Sequence, residues 1–270
     1  MKRKPAPKGL LHLLTFVKTV FALLCAAAIF FAGRIYWIAE VENREAVATY
    51  FEILETYTYF NQETNVLTVD WEGLRERNEN IIAWVRFPSP DIINYPIVQG
   101  PDNYYYLNRT VDGEWNSSGS IFLSSYNSSD FTDFNSIIYG HRMNNGTMFT
   151  GLENFFDQGF VDENPYFYIY FPNGIRKTYQ VFAISHIPDA SDPYETTVVA
   201  TERMAYFEMM QELSMITSNA PLTSLSKIVS LSTCTAASNH MRTLLQGVEI
   251  REEVVRVDNW YIDDSDDIDE

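Results

Sequence analysis

Apolar and polar positions change rhythm three times along this chain. Residues 19–33 carry no charged side chain and lie between Lys18 and Arg34. Extended past either flanking charge, whose long side chain can reach toward a polar layer, the stretch attains the roughly 20 residues a helix needs to cross a membrane. Over residues 41–59 the apolar positions Val47, Tyr50, Ile53, Leu54 and Tyr57 fall near helical spacing, which predicts an amphipathic helix. Asp70 is placed to cap a second, short helix through Glu79. Runs rich in β-branched and aromatic residues then follow one another at 82–87, 95–99, 120–123, 136–139, 166–171, 175–187, 227–233 and 242–250, and each reads as a strand. The first two flank a Pro/Asp turn, and Pro172-Asn173-Gly174 is a hairpin signal. One further helical stretch, 201–217, aligns Met204, Phe207, Met210, Leu213 and Ile216, a face suited to packing on a sheet; a Met-rich binding surface is the alternative. Many short strands with few helices predict a mostly β domain, a closed or nearly closed barrel.

At 270 residues the chain has room for an anchor and one domain with a sizeable core, and its 17 Tyr and 18 Phe favour a β-rich core over disorder. The net charge is −17, and residues 1–40 hold six Lys/Arg against one acid, so the rest stands at 13 − 35 = −22. An acidic body of that size argues against nucleic-acid binding, which depends on neutralising phosphates. Much of the excess lies in 258–270, which includes Asp263-Asp264-Ser265-Asp266-Asp267; it reads as a solvated end, with calcium binding as the sharper alternative. Lys2, Arg3, Lys4 and Lys8 precede the apolar stretch, so the N-terminus should stay in the cytoplasm and the body outside. A cleavable signal peptide competes, since Ala26-Ala27-Ala28 offers small residues; Phe30, Phe31, Tyr36 and Trp37 beyond it favour an uncleaved anchor.

The chemistry centres on Cys234. The only other cysteine, Cys25, lies in the apolar stretch, so no intrachain disulfide is available outside the membrane. Cys234 ends the β-branched run Val229-Ser230-Leu231-Ser232-Thr233, and Arg242 follows eight positions later. Of four histidines, His12 lies at the anchor, His186 ends a strand as a surface or packing residue, and His240 sits in a small polar loop. His141 alone follows a buried-looking strand, Ile137-Ile138-Tyr139, and a glycine that exposes it at the strand end. A free thiol titrates near 8.5, so only a few per cent is thiolate at neutral pH, and a nearby imidazolium or guanidinium raises that fraction. Each residue alone reads most simply as a packing cysteine, a hydrogen-bonded histidine and half of a surface ion pair. Together they suggest a cysteine nucleophile with a proton-handling histidine and an oxyanion partner.

The motifs around them resemble the sortases, specifically class B. Ser230-Leu231-Ser232-Thr233-Cys234 matches the family's Thr-Leu-x-Thr-Cys with serine for the first threonine. Arg242-Thr243-Leu244-Leu245-Gln246-Gly247 matches its arginine strand, and Ile137-Ile138-Tyr139-Gly140-His141 with Met143, Gly146 and Met148-Phe149 matches the class B histidine block. Tyr95-Pro96-Ile97-Val98-Gln99, Asp102-Asn103-Tyr104-Tyr105-Tyr106-Leu107 and Gly119-Ser120-Ile121-Phe122-Leu123 are also similar, although Ser124 stands where an aspartate is often found. The likeness covers about residues 70–250. It implies a closed eight-stranded sortase-type barrel with N-terminal helices and one long helix between late strands. The implied division is 1–40 basic cytoplasmic tail and anchor, 41–80 helical extension, 81–257 catalytic barrel and 258–270 acidic tail.

It further implies a cysteine transpeptidase with Cys234 as nucleophile, His141 as general acid and later base, and Arg242 holding the substrate backbone and oxyanion. Ser232 and Thr233 would line the peptide groove. The partners implied are surface proteins bearing a C-terminal sorting signal, cut at a Thr–Gly-like or Thr–Asn-like bond, and an acceptor amine from a lipid II-like peptidoglycan precursor or a pilin. No cofactor, metal or nucleic acid is called for; one cysteine and one nearby histidine fall short of a zinc ligand set. Alternatives are a related cysteine peptidase or hydrolase, and a non-enzymatic surface scaffold on the same barrel, against which the intact trio argues. L,D-transpeptidases place the arginine two residues after the cysteine, where this chain has Ala236, and papain-like peptidases place Cys before His.

Overall fold

The computed structural model describes residues 8–88, 92–188, 194–234 and 240–255, with the side chains of residues 8, 10, 11, 13 and 234 left out. The basic residues Lys2, Arg3 and Lys4 and the acidic tail 258–270 therefore lie outside the described residues. The chain divides into two compact units, Met1–Glu45 and Ala46–Glu270. The first is helical, with Phe16, Leu23, Phe30, Ile35 and Trp37 all exposed. Its helix is long and apolar enough to cross a membrane by length and composition.

The same helix, α1 (Lys8–Tyr57), runs on into the second unit without a break. The separate helix predicted over 41–59 is its C-terminal part, because residues 34–57 hold no Pro or Gly to interrupt it. From Ala46 on, one face is buried through Ala46, Tyr50 and Ile53, while Val47 stays exposed. A hairpin follows, β1 (Thr58–Asn61) and β2 (Val66–Val69), which the sequence pattern had not marked; β1 begins inside the span read as a helix. Then α2 (Trp71–Arg77) starts where expected. The Asp70 carboxylate accepts from the Gly73 N–H at 3.0 Å, and the helix ends at Arg77 when the Asn78 N–H closes on the Leu74 carbonyl.

Eight strands form the closed barrel: β3 (Ile81–Arg86), β4 (Asn94–Val98), β5 (Phe122–Leu123), β6 (Asn135–Tyr139), β7 (Tyr166–Tyr170), β8 (Ile175–Pro188), β9 (Ile228–Cys234) and β10 (Met241–Val254). Their order around the barrel is β10-β8-β7-β3-β4-β5-β6-β9, so no edge is left to template aggregation. All pairings are antiparallel except β4–β5 and β6–β9. The main core gathers Trp84, Val85, Ile97, Ile138, Phe167, Tyr179, Leu231 and their neighbours from both faces of the sheet, all essentially inaccessible to solvent.

Two elements between β6 and β7 carry no sequence prediction: a 3-10 segment, Phe149–Phe156, and α3 (Gln158–Glu163), capped by the Asp157 carboxylate on the Phe160 N–H at 2.8 Å. The late helix is α4 (Arg203–Leu213), shorter than the 201–217 predicted. Tyr206, Phe207 and Met210 pack outside the barrel on Phe134, Phe182, Leu244 and Val248, making a second core. Met204 and Leu213, predicted for that face, are exposed.

Candidate active site

The parallel contact between β6 and β9 decides where the chemistry collects. Tyr139 is in register with Ser232, and the Gly140 N–H extends the ladder to the Ser232 carbonyl at 3.1 Å. His141 and Cys234 each stand two positions beyond that register pair, so both strands deliver them to the same end of the barrel. Antiparallel β10 begins at that end, and its Arg242 is in register with Cys234. The Cys234 side chain lies outside the described part of the structure. Residues distant in sequence thus meet because two strands run the same way and a third returns between β9 and β8.

A cavity of about 280 Å³ opens there. His141, Arg242, Ser232 and Thr233 line it, together with Leu107, Tyr139 and Tyr194. His141 and Arg242 are half-buried; Ser232 and Thr233 are buried. The His141 ring is fixed by its Nε2, which lies 2.6 Å from the Leu107 carbonyl and must donate to it, since a carbonyl only accepts. That leaves Nδ1 as the nitrogen able to exchange a proton. Gly140 permits this turn: a Cβ there would sit 2.5 Å from Ile121 Cδ1 and 2.7 Å from Phe149 Cδ2. The loop that follows folds back on itself, with the Phe149 N–H on the His141 carbonyl at 3.0 Å and the Thr150 hydroxyl donating to the Met143 carbonyl at 2.8 Å. Arg142 pairs with Glu153 at 2.6 Å, turned to a different task from Arg242.

One wall of the cavity is aromatic. Tyr139 lies between Phe122, at 5.3 Å, and Tyr194, stacked at 6.3 Å. Burial pushes the Tyr139 phenol up from its ordinary range, while the Arg242 charge pulls it partly back, so the guanidinium field reaches across the site. The hydroxyls of Tyr194 and Ser232 are 2.7 Å apart. The neighbouring Thr233 Oγ1 is buried with no hydrogen-bond partner among the described residues. An unpaired polar atom costs about 1–3 kcal/mol, which a ligand backbone could recover.

His186 is exposed and lies against Phe156 with ring centres 4.4 Å apart, as a packing residue; His240 is exposed. The pattern of residues had not marked Tyr194 or the Leu107 carbonyl as parts of this site. Tyr194 sits in a segment without periodicity, and a backbone carbonyl carries no side-chain signal.

The barrel is that of a sortase. A family model described as the sortase domain matches residues 85–249, and the chain belongs to that family. It is a cysteine transpeptidase of class B, the class of the relatives it matches. It is 28% identical over 241 residues to sortase B of Listeria monocytogenes, covering 86% of this chain and 96% of the relative. It is 28% identical to sortase B of Staphylococcus aureus over 223 residues, covering 81% and 89%. The 2.0 Å crystal structure of the Staphylococcus aureus enzyme superposes with a TM-score of 0.63 at 28% identity, covering 68% of this chain and 87% of that one.

Proposed function

We propose that the protein is a single-pass, membrane-anchored transpeptidase that cleaves a C-terminal sorting signal and moves the severed protein onto an acceptor amine. The observation that carries this reading is the cavity lined by His141, Arg242, Ser232 and Thr233, with Cys234 in register opposite Arg242. In the first half-reaction the Cys234 thiolate forms a bond to the scissile carbonyl carbon. The negative charge moves to the carbonyl oxygen and is met by the Arg242 guanidinium. The C–N bond then breaks as His141 gives its proton to the leaving amine, and a thioester remains. An incoming amine attacks that thioester, His141 takes back its surplus proton, and the thiolate departs. The thioester conserves the energy of the cleaved amide, so no nucleotide is consumed.

Ser232 and Thr233 line the peptide groove in this reading, and the Thr233 hydroxyl, without a partner among the described residues, supports a ligand there. The acceptor is an amine of a peptidoglycan precursor, with a pilin lysine as the other candidate. The basic N-terminus stays in the cytoplasm, residues 1–40 form the tail and anchor, 41–80 the extension, 81–257 the extracellular catalytic domain and 258–270 an acidic tail.

The test is to incubate the full chain in detergent with peptides spanning candidate sorting motifs, with and without added amines, and to map adducts by mass spectrometry. Acylation at Cys234 and an amine-dependent ligation product are expected. Acylation elsewhere sinks the assignment of the nucleophile, and cleavage that no amine diverts makes the protein a peptidase instead.

A further inference from the structure

Tyr50 belongs to α1 and is absent from the cavity around His141, yet it is joined to both sides of that histidine. Its ring is buried, and its hydroxyl lies 3.1 Å from the Gly119 carbonyl and 3.1 Å from Ser120 Oγ. Ser120 Oγ spends its own hydrogen on the Arg109 carbonyl at 2.7 Å, so toward Tyr50 it acts as acceptor, and the single Tyr50 hydroxyl hydrogen is shared between it and the Gly119 carbonyl. Gly119 takes φ +59°, and a Cβ there would collide with the Leu107 carbonyl oxygen and come within 3.0 Å of His141 Cδ2. The Gly119 backbone is therefore the surface against which both the imidazole and its hydrogen-bond acceptor rest, and Tyr50 holds that surface.

A second route reaches the histidine backbone. The Tyr50 ring meets Tyr95 edge-on, with centres 5.4 Å apart and planes at 87°. Tyr95 Oη accepts the Met148 N–H at 3.1 Å, and the next residue, Phe149, donates its N–H to the His141 carbonyl at 3.0 Å. Met148 is held at φ 55°, a left-handed conformation uncommon for a residue with a side chain. Such strain persists where surrounding contacts over-determine it.

We infer that Tyr50 is a positioning residue for His141, setting the ring through Gly119 and Leu107 and the backbone through Tyr95 and Met148. The inference rests on the reading above in which His141 handles the proton. A displacement of the imidazole misaligns proton transfer without touching the peptide groove, so it acts on turnover rather than on substrate binding.

The experiment uses the full chain in detergent and the variant Tyr50→Phe, which keeps the ring and removes the hydroxyl. The expected result is a fall in kcat of about tenfold with KM unchanged. In histidine-labelled protein, whose four histidines give few signals, the His141 ring resonance should move while those of His12, His186 and His240 stay. Wild-type kcat, or a lowered kcat with an unmoved His141 resonance, overturns the inference. Should Tyr50→Phe fail to fold, Tyr95→Phe cuts the second route and carries the same pair of expected readouts. His141→Ala is the control: full activity there removes the proposed role of His141 itself. An inactive His141→Ala beside a wild-type Tyr50→Phe removes only the positioning.

Discussion

The two faces of β9 and β10 do different work with the same backbone. On one face Val229, Leu231 and Leu245 enter the barrel interior. On the other, apolar Ile228, Leu244 and Val248 pack under α4, and a buried polar chain is set among them. Ser230 donates to Asn135 Oδ1 at 2.8 Å, and Gln246 donates to Ser230 at 2.9 Å and to the Tyr206 hydroxyl at 2.7 Å. Nearer the strand end comes the Ser232–Tyr194 pair, and beyond it the Cys234–Arg242 register. Burial drives the Tyr206 phenol well up, with the Gln246 contact opposing, so that hydroxyl stays neutral at any working pH. The interior face makes the barrel close; the outer face fixes how β9 and β10 present their ends. Apolar packing tolerates small sliding, whereas a hydrogen-bonded chain has one geometry.

Substitutions can break that comparison. Cys234→Ala, at the tip of the outer face, should abolish cleavage and transfer while the melting temperature holds; residual turnover would remove the nucleophile. Arg242→Lys replaces a planar two-pronged donor with a point charge and should lower kcat/KM by about a hundredfold, again with stability unchanged. Leu231→Ala, on the interior face, should reverse the pattern. It should cost about 2–5 kcal/mol in denaturant unfolding, while the folded fraction keeps near wild-type kcat. Ser230→Ala takes a partner each from Asn135 and Gln246 and should cost about 1–3 kcal/mol. If it cost nothing, the polar chain would not be a structural device. Tyr194→Phe is the mildest, with about 1 kcal/mol or less in stability and a change of a few-fold in KM, read from steady-state kinetics.

Much of this barrel was legible in residues. All eight strands fall within a few residues of their predicted spans, because β-branched and aromatic runs bounded by turn signals leave few other choices. The cap at Asp70 was legible for the same reason: a short polar side chain before a helix satisfies an otherwise unpaired N–H. The hairpin β1–β2, α3 and the 3-10 segment were not: β1 begins inside the apolar periodicity read as helix, and neither α3 nor the 3-10 segment stands out by a period of its own. The α4 face was read one turn too widely, so Met204 and Leu213 were placed inward although the helix docks only through its central turns. At the site, the motifs marked His141, Arg242, Ser232 and Thr233, and the structure gathers them around one cavity. The Leu107 carbonyl and Tyr194 stayed hidden, since their positions depend on tertiary closure that no local pattern encodes.

The parallel pairing of β6 with β9 has a consequence for biogenesis. No contiguous stretch of chain contains the trio: His141 is made early, and Cys234 and Arg242 come late, after α4. The two strands adjoin only when the last strands dock and the barrel shuts. A half-unfolded copy in which β9 has not docked on β6 therefore holds Cys234 and Arg242 away from His141. Under the mechanism proposed above, activity is therefore a report of complete folding.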